Sequence, residues 1–199
     1  MKLLLLGANG QVGFELRRSL APLGALVAAT RDGRLPEGAA CEIADFDDAG
    51  SLAALVERIA PDVVVNAAAW TAVDLAERER EAAFRVNADA PRALAEACAR
   101  RGARLVHYST DYVFDGRGTR PYREDDPVSP LGAYGESKLA GEEAIRASGA
   151  DHAILRTAWV YAPRGRNFLL TMLRLGAERD RLRVVADQVG TPTSAALIA

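Results

Sequence analysis

Tyr134 and Lys138 stand four residues apart, a spacing that stacks a phenol and an ammonium on one face of a helix. A free phenol titrates near ~10 and is slow to exchange its proton near neutrality. At ~1.4 kcal/mol per pKa unit, lowering it by two or three units takes ~3–4 kcal/mol, which one partly desolvated cation can supply. The pair would then donate a proton to a carbonyl oxygen as that carbon is reduced. Thr110, after an apolar run, brings a hydroxyl suited to polarising the same carbonyl. Tyr-x-x-x-Lys also arises on exposed helix faces without any chemistry, so the pair needs support from elsewhere in the chain.

That support is Gly7-Ala8-Asn9-Gly10-Gln11-Val12-Gly13, directly after an apolar strand. Gly7 permits a tight turn, Gly10 admits a pyrophosphate to the backbone, and Gly13 lets the following helix pack close to the strand. The helix N-terminus then offers free N–H groups to phosphate. The alternative is a plain strand-to-helix turn. An acid ending the second strand would bind the ribose 2′-hydroxyl of NAD. Thr30 and Arg31 stand there instead, which favours NADPH, with NADH still admissible. Arg31 is equally readable as a solvated loop cation. Asp45 and Phe46 suit hydrogen bonding and packing against adenine, or else a helix cap and a core position. Asn66-Ala67-Ala68-Ala69 ends the fourth strand, where small side chains would let a nicotinamide ring approach the backbone or simply pack. Trp159 and Tyr161 are placed either to wall a substrate pocket or to join the core. Asn87 reads as a bond to a strand carbonyl from within a kinked helix, or as a cap ahead of Pro91.

Strands are expected at 2–6, 25–29, 41–44, 63–65, 105–108, 153–155 and 182–186. Helices are expected at 11–23, 51–59, 134–147 and 168–178, with a long helical region at 75–101 that residues 87–91 interrupt or kink. This alternation predicts a Rossmann-type α/β fold, a doubly wound parallel sheet with helices on both faces. The glycine turn, Asp45-Phe46, 66–74, 109–116 and 156–161 all follow strands, so they would meet at one crevice beyond the strands' carboxyl ends. The 111–133 loop is long enough to suggest a functional role.

Net charge is −2, which gives no basic field for nucleic acid. No apolar run approaches the ~20 residues of a membrane span. Two cysteines, Cys41 and Cys98, lie outside any metal-ligand spacing and read as reduced thiols of a cytoplasmic protein. Two histidines, both in expected strands, give little support to histidine or metal chemistry, and no metal ligands are assigned.

The chain resembles the extended short-chain dehydrogenase/reductase family. The stretches that carry the likeness are GANGQVG, PDVVVNAAAWTAVD, VHYSTDYVFDG, SPLGAYGESKLAGE, RTAWVYAPRGRNF and DQVGTPTS, from one end to the other. The resemblance implies a triad of Thr110, Tyr134 and Lys138, with Lys138 also holding the cofactor ribose. It implies cofactor contacts at Gln11, Val12, Asp45, Phe46, Ala69, Thr71 and Tyr108, and a sugar nucleotide facing Asp111 and Trp159. The implied reaction moves hydride from NAD(P)H to C4 of dTDP-4-dehydro-L-rhamnose, the last step of dTDP-L-rhamnose synthesis. Rivals are another dTDP-ketosugar reductase, or a non-catalytic dinucleotide-binding subunit like the one that regulates methionine adenosyltransferase. Residues 1–199 would be the dinucleotide domain, with 156–199 opening a small substrate domain that is mostly absent, as in a truncated chain. A homodimer is admissible. The magnesium-linked dimer of some relatives is not expected, because Ala196 stands where they carry a glutamate.

Overall fold

The computed structural model describes residues 1–199. Six parallel strands form its centre: β1 (Lys2–Leu6), β2 (Ala25–Thr30), β3 (Glu42–Ile43), β4 (Val63–Asn66), β5 (Arg104–Thr110) and β6 (His152–Thr157). Their spatial order is β3-β2-β1-β4-β5-β6, so the winding reverses beside β1. Leu3 to Leu6 are all buried, because β1 is covered on both faces and has no solvent side to alternate with. Leu5 lies between Ala28 of β2 and Val65 of β4.

Alternate side chains of β1 enter two separate cores. Leu4 and Leu6 join the larger one, beneath α2 (Ala49–Ile59), α5 (Ala90–Arg101) and α6 (Ala133–Ala147), with Leu52, Val56, Leu94 and Ile145. Leu5 joins the smaller one with Leu16 of α1 (Gln11–Ser19), and Ala199 after α8 (Ala195–Ile198) packs against it. Asp48 starts α2 by accepting from the Ser51 amide at 3.0 Å, which satisfies one of the helix's orphan donors. Cys98 is fully buried in the larger core, and burial pushes its thiol up to about 12, so it stays protonated. No helix is long and apolar enough to cross a membrane.

Two expectations for the elements are corrected. Residues 75–101 are interrupted next to the expected 87–91 segment and are also broken at 77–79, which was not expected. They form α3 (Val73–Ala76), α4 (Arg80–Phe84), a π-helical turn (Arg85–Asp89) and α5, with Pro91 in the first turn of α5, where its missing N–H costs nothing. Residues 182–186 form no strand. Val184 and Val185 stay exposed and pair with no sheet edge. The parallel pair nearby is instead β7 (Val160–Tyr161) with β8 (Thr193–Ser194), flanking α7 (Phe168–Glu178). The 111–133 loop is built rather than slack. Tyr122 stacks on Phe114 with centroids 4.2 Å apart, and the Ser129 amide donates to Val113 O at 2.9 Å.

Candidate active site

The turn after β1 is forced by close approach. Gly7 has φ of 74°, and a Cβ there would lie 2.8 Å from the Ala68 nitrogen. A Cβ on Gly13 would lie 2.0 Å from Gly7 O, so α1 can start this near the strand only with glycine. Gly10 caps α1 without a side-chain bond, and no acid sits in the first turn, so the first amides of α1 face out with the positive end of the helix dipole. This bare, positively polarised helix start suits a pyrophosphate.

Beside it a cleft is walled by Gly7, Ala68 and Ala69 on one side and by Ala44 and Phe46 on the other, with Arg31 on its rim. Phe46 therefore serves both readings, in the core and on the cleft wall. Asn9, Ala44 and Val86 also line this cleft: Asn9 lies within the glycine turn, Ala44 follows β3, and Val86, in the π-helical turn, carried no signal in the sequence. Arg31 is exposed and held loosely by Asp47 at 3.9 Å. Thr30 is turned away: its hydroxyl donates to Asp32 and accepts from the Arg34 amide, closing its own loop.

Several anticipated cofactor residues point elsewhere. The Gln11 side chain donates to Arg166 O at 3.3 Å and accepts from Asn167 at 2.7 Å. Val12 and Ala67 pack on the smaller core, as does the Tyr108 ring, whose hydroxyl is 3.5 Å from Ile198 O. Asp45 accepts from the Asp47 amide at 3.0 Å in a local turn, and Thr71 is exposed.

The second cluster lies at the carboxyl end of β5. Thr110 is its last residue, and Asp111 follows, accepting from the Thr110 hydroxyl at 3.2 Å. Helix α6 brings Tyr134, Lys138 and Glu142 to this end on one face. It is seated by contacts the sequence hid. Glu77 of the neighbouring loop accepts from the Ala133 amide at 2.7 Å and so caps a helix whose own N-cap, Gly132, has no side chain. A Cβ on Gly141 would strike Asn87 O at 2.1 Å, so α6 lies directly on the π-helical turn. That turn aims Asn87, which accepts from Trp70 N at 2.9 Å and donates to Trp70 O at 3.1 Å and to Ser137 at 3.0 Å. The expected bond from Asn87 to a carbonyl is present, though to the loop after β4.

Electrostatics differ from the sequence expectation at Tyr134. Burial pushes its phenol up to about 12, the Thr110 hydroxyl pulls the other way, and Asp111 adds to the rise. The phenol is thus held protonated, the form a proton donor needs, while the lowered phenol expected from Lys138 is not seen in the chain alone. The reason is where the lysine points. Lys138 is 2% exposed and donates to Tyr108 O at 2.7 Å, with His107 Nε2 at 3.3 Å. Burial lowers it to about 8, against the pull of Glu142. Burial raises the Glu142 carboxyl, yet Arg156 at 2.7 Å and Arg146 at 2.8 Å outweigh it and hold the group ionised. Asp111 is raised, chiefly by burial.

Trp159 sits on the outer rim after β6, 43% exposed, with φ of 45°, a backbone state costly for an aromatic residue. Its ring lies against Gly190, where a Cβ would come within 2.6 Å. Among the anticipated residues, the fold thus gathers Gly7, Arg31, Phe46, Ala68 and Ala69 at one cleft. It gathers Thr110, Asp111, Tyr134 and Lys138 at the neighbouring strand end. His107 and Glu142 belong to this second group and were not singled out. Their signal was a polar residue inside an apolar strand and a carboxylate one turn beyond Lys138.

A family model described as RmlD substrate binding domain matches residues 1–199. A dTDP-4-dehydrorhamnose reductase of Burkholderia thailandensis is 54% identical over 199 residues, which are 100% of this chain and 63% of the relative. The crystal structure of a dTDP-4-dehydrorhamnose reductase from Clostridium acetobutylicum superposes with a TM-score of 0.90 at 40% identity, covering 98% of this chain and 66% of that one. The enzyme of the same name from Bacillus anthracis, in complex with NADP, superposes with a TM-score of 0.88 at 37% identity over the same shares. The chain therefore spans a little under two thirds of the length of these relatives.

Proposed function

The chain belongs to the RmlD substrate binding domain family, and from that premise we propose that it forms the cofactor-binding and catalytic part of an NADPH-dependent reductase of a dTDP-linked 4-ketosugar. The substrate proposed is dTDP-4-dehydro-L-rhamnose, and the product is dTDP-L-rhamnose. The observation that carries this reading is the meeting of a phenol, a hydroxyl and a buried lysine at the end of β5, next to a glycine turn that opens a helix with free amides. Relatives that bear the reductase name, one of them holding NADP, support it.

In this proposal the Gly7–Gly13 cradle and the N-terminus of α1, with Gly10, Gln11 and Val12 at its start, hold the pyrophosphate. Phe46, Ala68 and Ala69 flank the nucleoside. Arg31 meets the 2′-phosphate, because its guanidinium is the one cation on the cleft rim. Bound there, NADPH would supply hydride to the ketone carbon. Tyr134 gives its proton to the ketone oxygen, and the Thr110 hydroxyl steadies the charge that grows on that oxygen. Lys138 stabilises the phenolate left behind. Asp111 and Trp159 are proposed to face the sugar nucleotide. Residues 156–199 are proposed to begin the substrate-binding region, and a cytoplasmic site of action fits a sugar-nucleotide enzyme.

The test is NADPH oxidation by the 199-residue chain, followed by absorbance, with the ketosugar generated in the cuvette. Oxidation that depends on ketosugar and on Tyr134 is the expected result. NADPH binding with no oxidation, persisting in a C-terminally extended chain, would overturn the reductase reading in favour of a dinucleotide-binding subunit.

A further inference from the structure

Behind the Tyr134–Lys138 pair lies a buried polar chain that the proposed reaction does not use: Asn66 of β4, His107 of β5, then Lys138. Asn66 and His107 are 1% and 0% exposed, so neither can borrow a partner from solvent. The amide of Asn66 is oriented by its other end, since Oδ1 accepts from the Ala68 N–H at 3.1 Å. Its Nδ2 therefore faces His107 Nδ1, at 3.1 Å. An amide nitrogen has only hydrogens to offer, so Nδ1 must present a lone pair. A neutral imidazole then carries its proton on the other nitrogen, and that nitrogen, Nε2, lies 3.3 Å from Lys138 Nζ.

We propose that His107 is a positioning residue for Lys138, its ring fixed by Asn66 with the proton on Nε2, so that an N–H rather than a lone pair faces the lysine nitrogen. An ammonium has three hydrogens and no acceptor, so it meets this N–H as like against like. A neutral amine has a lone pair and accepts from it. The array therefore favours the neutral amine, and it sets how much of Lys138 is charged where the proposed reduction uses it.

The other groups around Lys138 set the direction. From β5 the Tyr108 carbonyl accepts one hydrogen, and it is the one acceptor bonded to Nζ. From α6 Glu142 favours the charged form, but its carboxylate is shared between Arg146 and Arg156. Tyr134, one turn earlier on the same helix, is neutral until it has acted. His107 itself is held well below the usual histidine range by burial and then by Lys138, so it stays neutral. The inference rests on the reductase reading for the use made of the lysine charge. The ring tautomer does not depend on it.

The chain suits a direct test, because it has two histidines and two lysines, and the second lysine, Lys2, lies far off at the start of β1. Long-range ¹H–¹⁵N spectra of histidine-labelled protein should show His107 with Nδ1 bare and Nε2 protonated, unchanged from pH 8 to pH 6. His152, whose Nδ1 sits 2.8 Å from Ala150 O, gives the opposite tautomer as an internal reference. A proton on Nδ1 of His107, or an imidazolium, would overturn the proposal. In Asn66→Asp a carboxylate replaces the donor and should pull the ring proton to Nδ1, giving Lys138 a lone pair to bond. The lysine ¹³Cε titration of Lys138 should then move up by at least about one pH unit, a tenfold change in proton affinity. A flipped ring with an unmoved lysine would equally defeat it. Should Asn66→Asp fail to fold, the tautomer of the unaltered chain still decides. Failure of the reductase reading would appear separately, as absent NADPH oxidation with both spectra as expected.

Discussion

The two faces of the sheet are built to different standards. The face under α2, α5 and α6 has a continuous core of 19 buried residues, whereas the face under α1 and α8 has 4. Tyr134 and Lys138 ride on the dense face, on α6, where close packing and low polarity hold both away from their solution behaviour. The glycine cradle belongs to the thin face. It is steadied mainly by polar reach: Asn167 to Gln11, and Arg164 stacked 3.5 Å over the Phe14 ring and paired with Glu15. Groups whose pKa must differ from water need a core behind them. A turn that binds through its backbone amides needs only the right φ angles and room.

Changes of graded size probe that contrast. Tyr134→Phe should lower turnover by about 10²–10⁴-fold while leaving the melting temperature in place. A variant with near-native turnover would end the assignment of Tyr134. Glu142→Gln, on the dense face, leaves the Arg156 guanidinium in a buried site without its counter-charge, and should cost about 3–5 kcal/mol in urea unfolding. A loss within ~0.5 kcal/mol there would mean the ion pair is solvated. Leu94→Ala should cost about 2–5 kcal/mol, whereas Leu20→Ala, half-buried on the thin face, should cost nearer ~1 kcal/mol. Equal losses would erase the difference between the faces.

The pH dependence sharpens it further. His107 has a folded pKa below its unfolded value of about 6.5, so below that pH the unfolded chain binds a proton that the native chain refuses. Stability should therefore be intact above pH 6.5 and fall by up to about 1.4 kcal/mol per pH unit below it. Urea midpoints for the native chain and for His107→Asn should show this slope lost in the variant. Smallest is Arg31→Ala on the cleft rim, expected to weaken NADPH about tenfold, ~1.4 kcal/mol, and NADH hardly at all. Equal losses in fluorescence titrations would remove the 2′-phosphate role.

The parallel sheet was legible because β1, β4 and β5 are apolar runs broken by turn residues, and the site elements were legible because they follow strand ends. What stayed hidden had no local signature. The cap on α6 comes from Glu77, 56 residues earlier in the chain. The apolar run 182–186 looks like a strand, but strand formation needs an edge to pair with, and none reaches it. Tyr134 and Lys138 were found by spacing, yet in the chain alone burial raises the phenol and the lysine does not lower it. Spacing says which side chains share a face and nothing about where an ammonium points, and Lys138 points at Tyr108 and His107. His107 itself was discounted as a strand residue, because a buried polar side chain is recognisable only once its partners on β4 and α6 are known.

The bond between Asn167 and Gln11 joins residues 156 positions apart. A ribosome adds roughly 5–20 residues per second, so this much chain takes on the order of ten to thirty seconds to appear. Throughout that time the turn at 7–13 exists without the clasp that fixes the first residue of its helix. Of the two partners the glycine turn is made first, and its helix start is clasped only once residue 167 arrives.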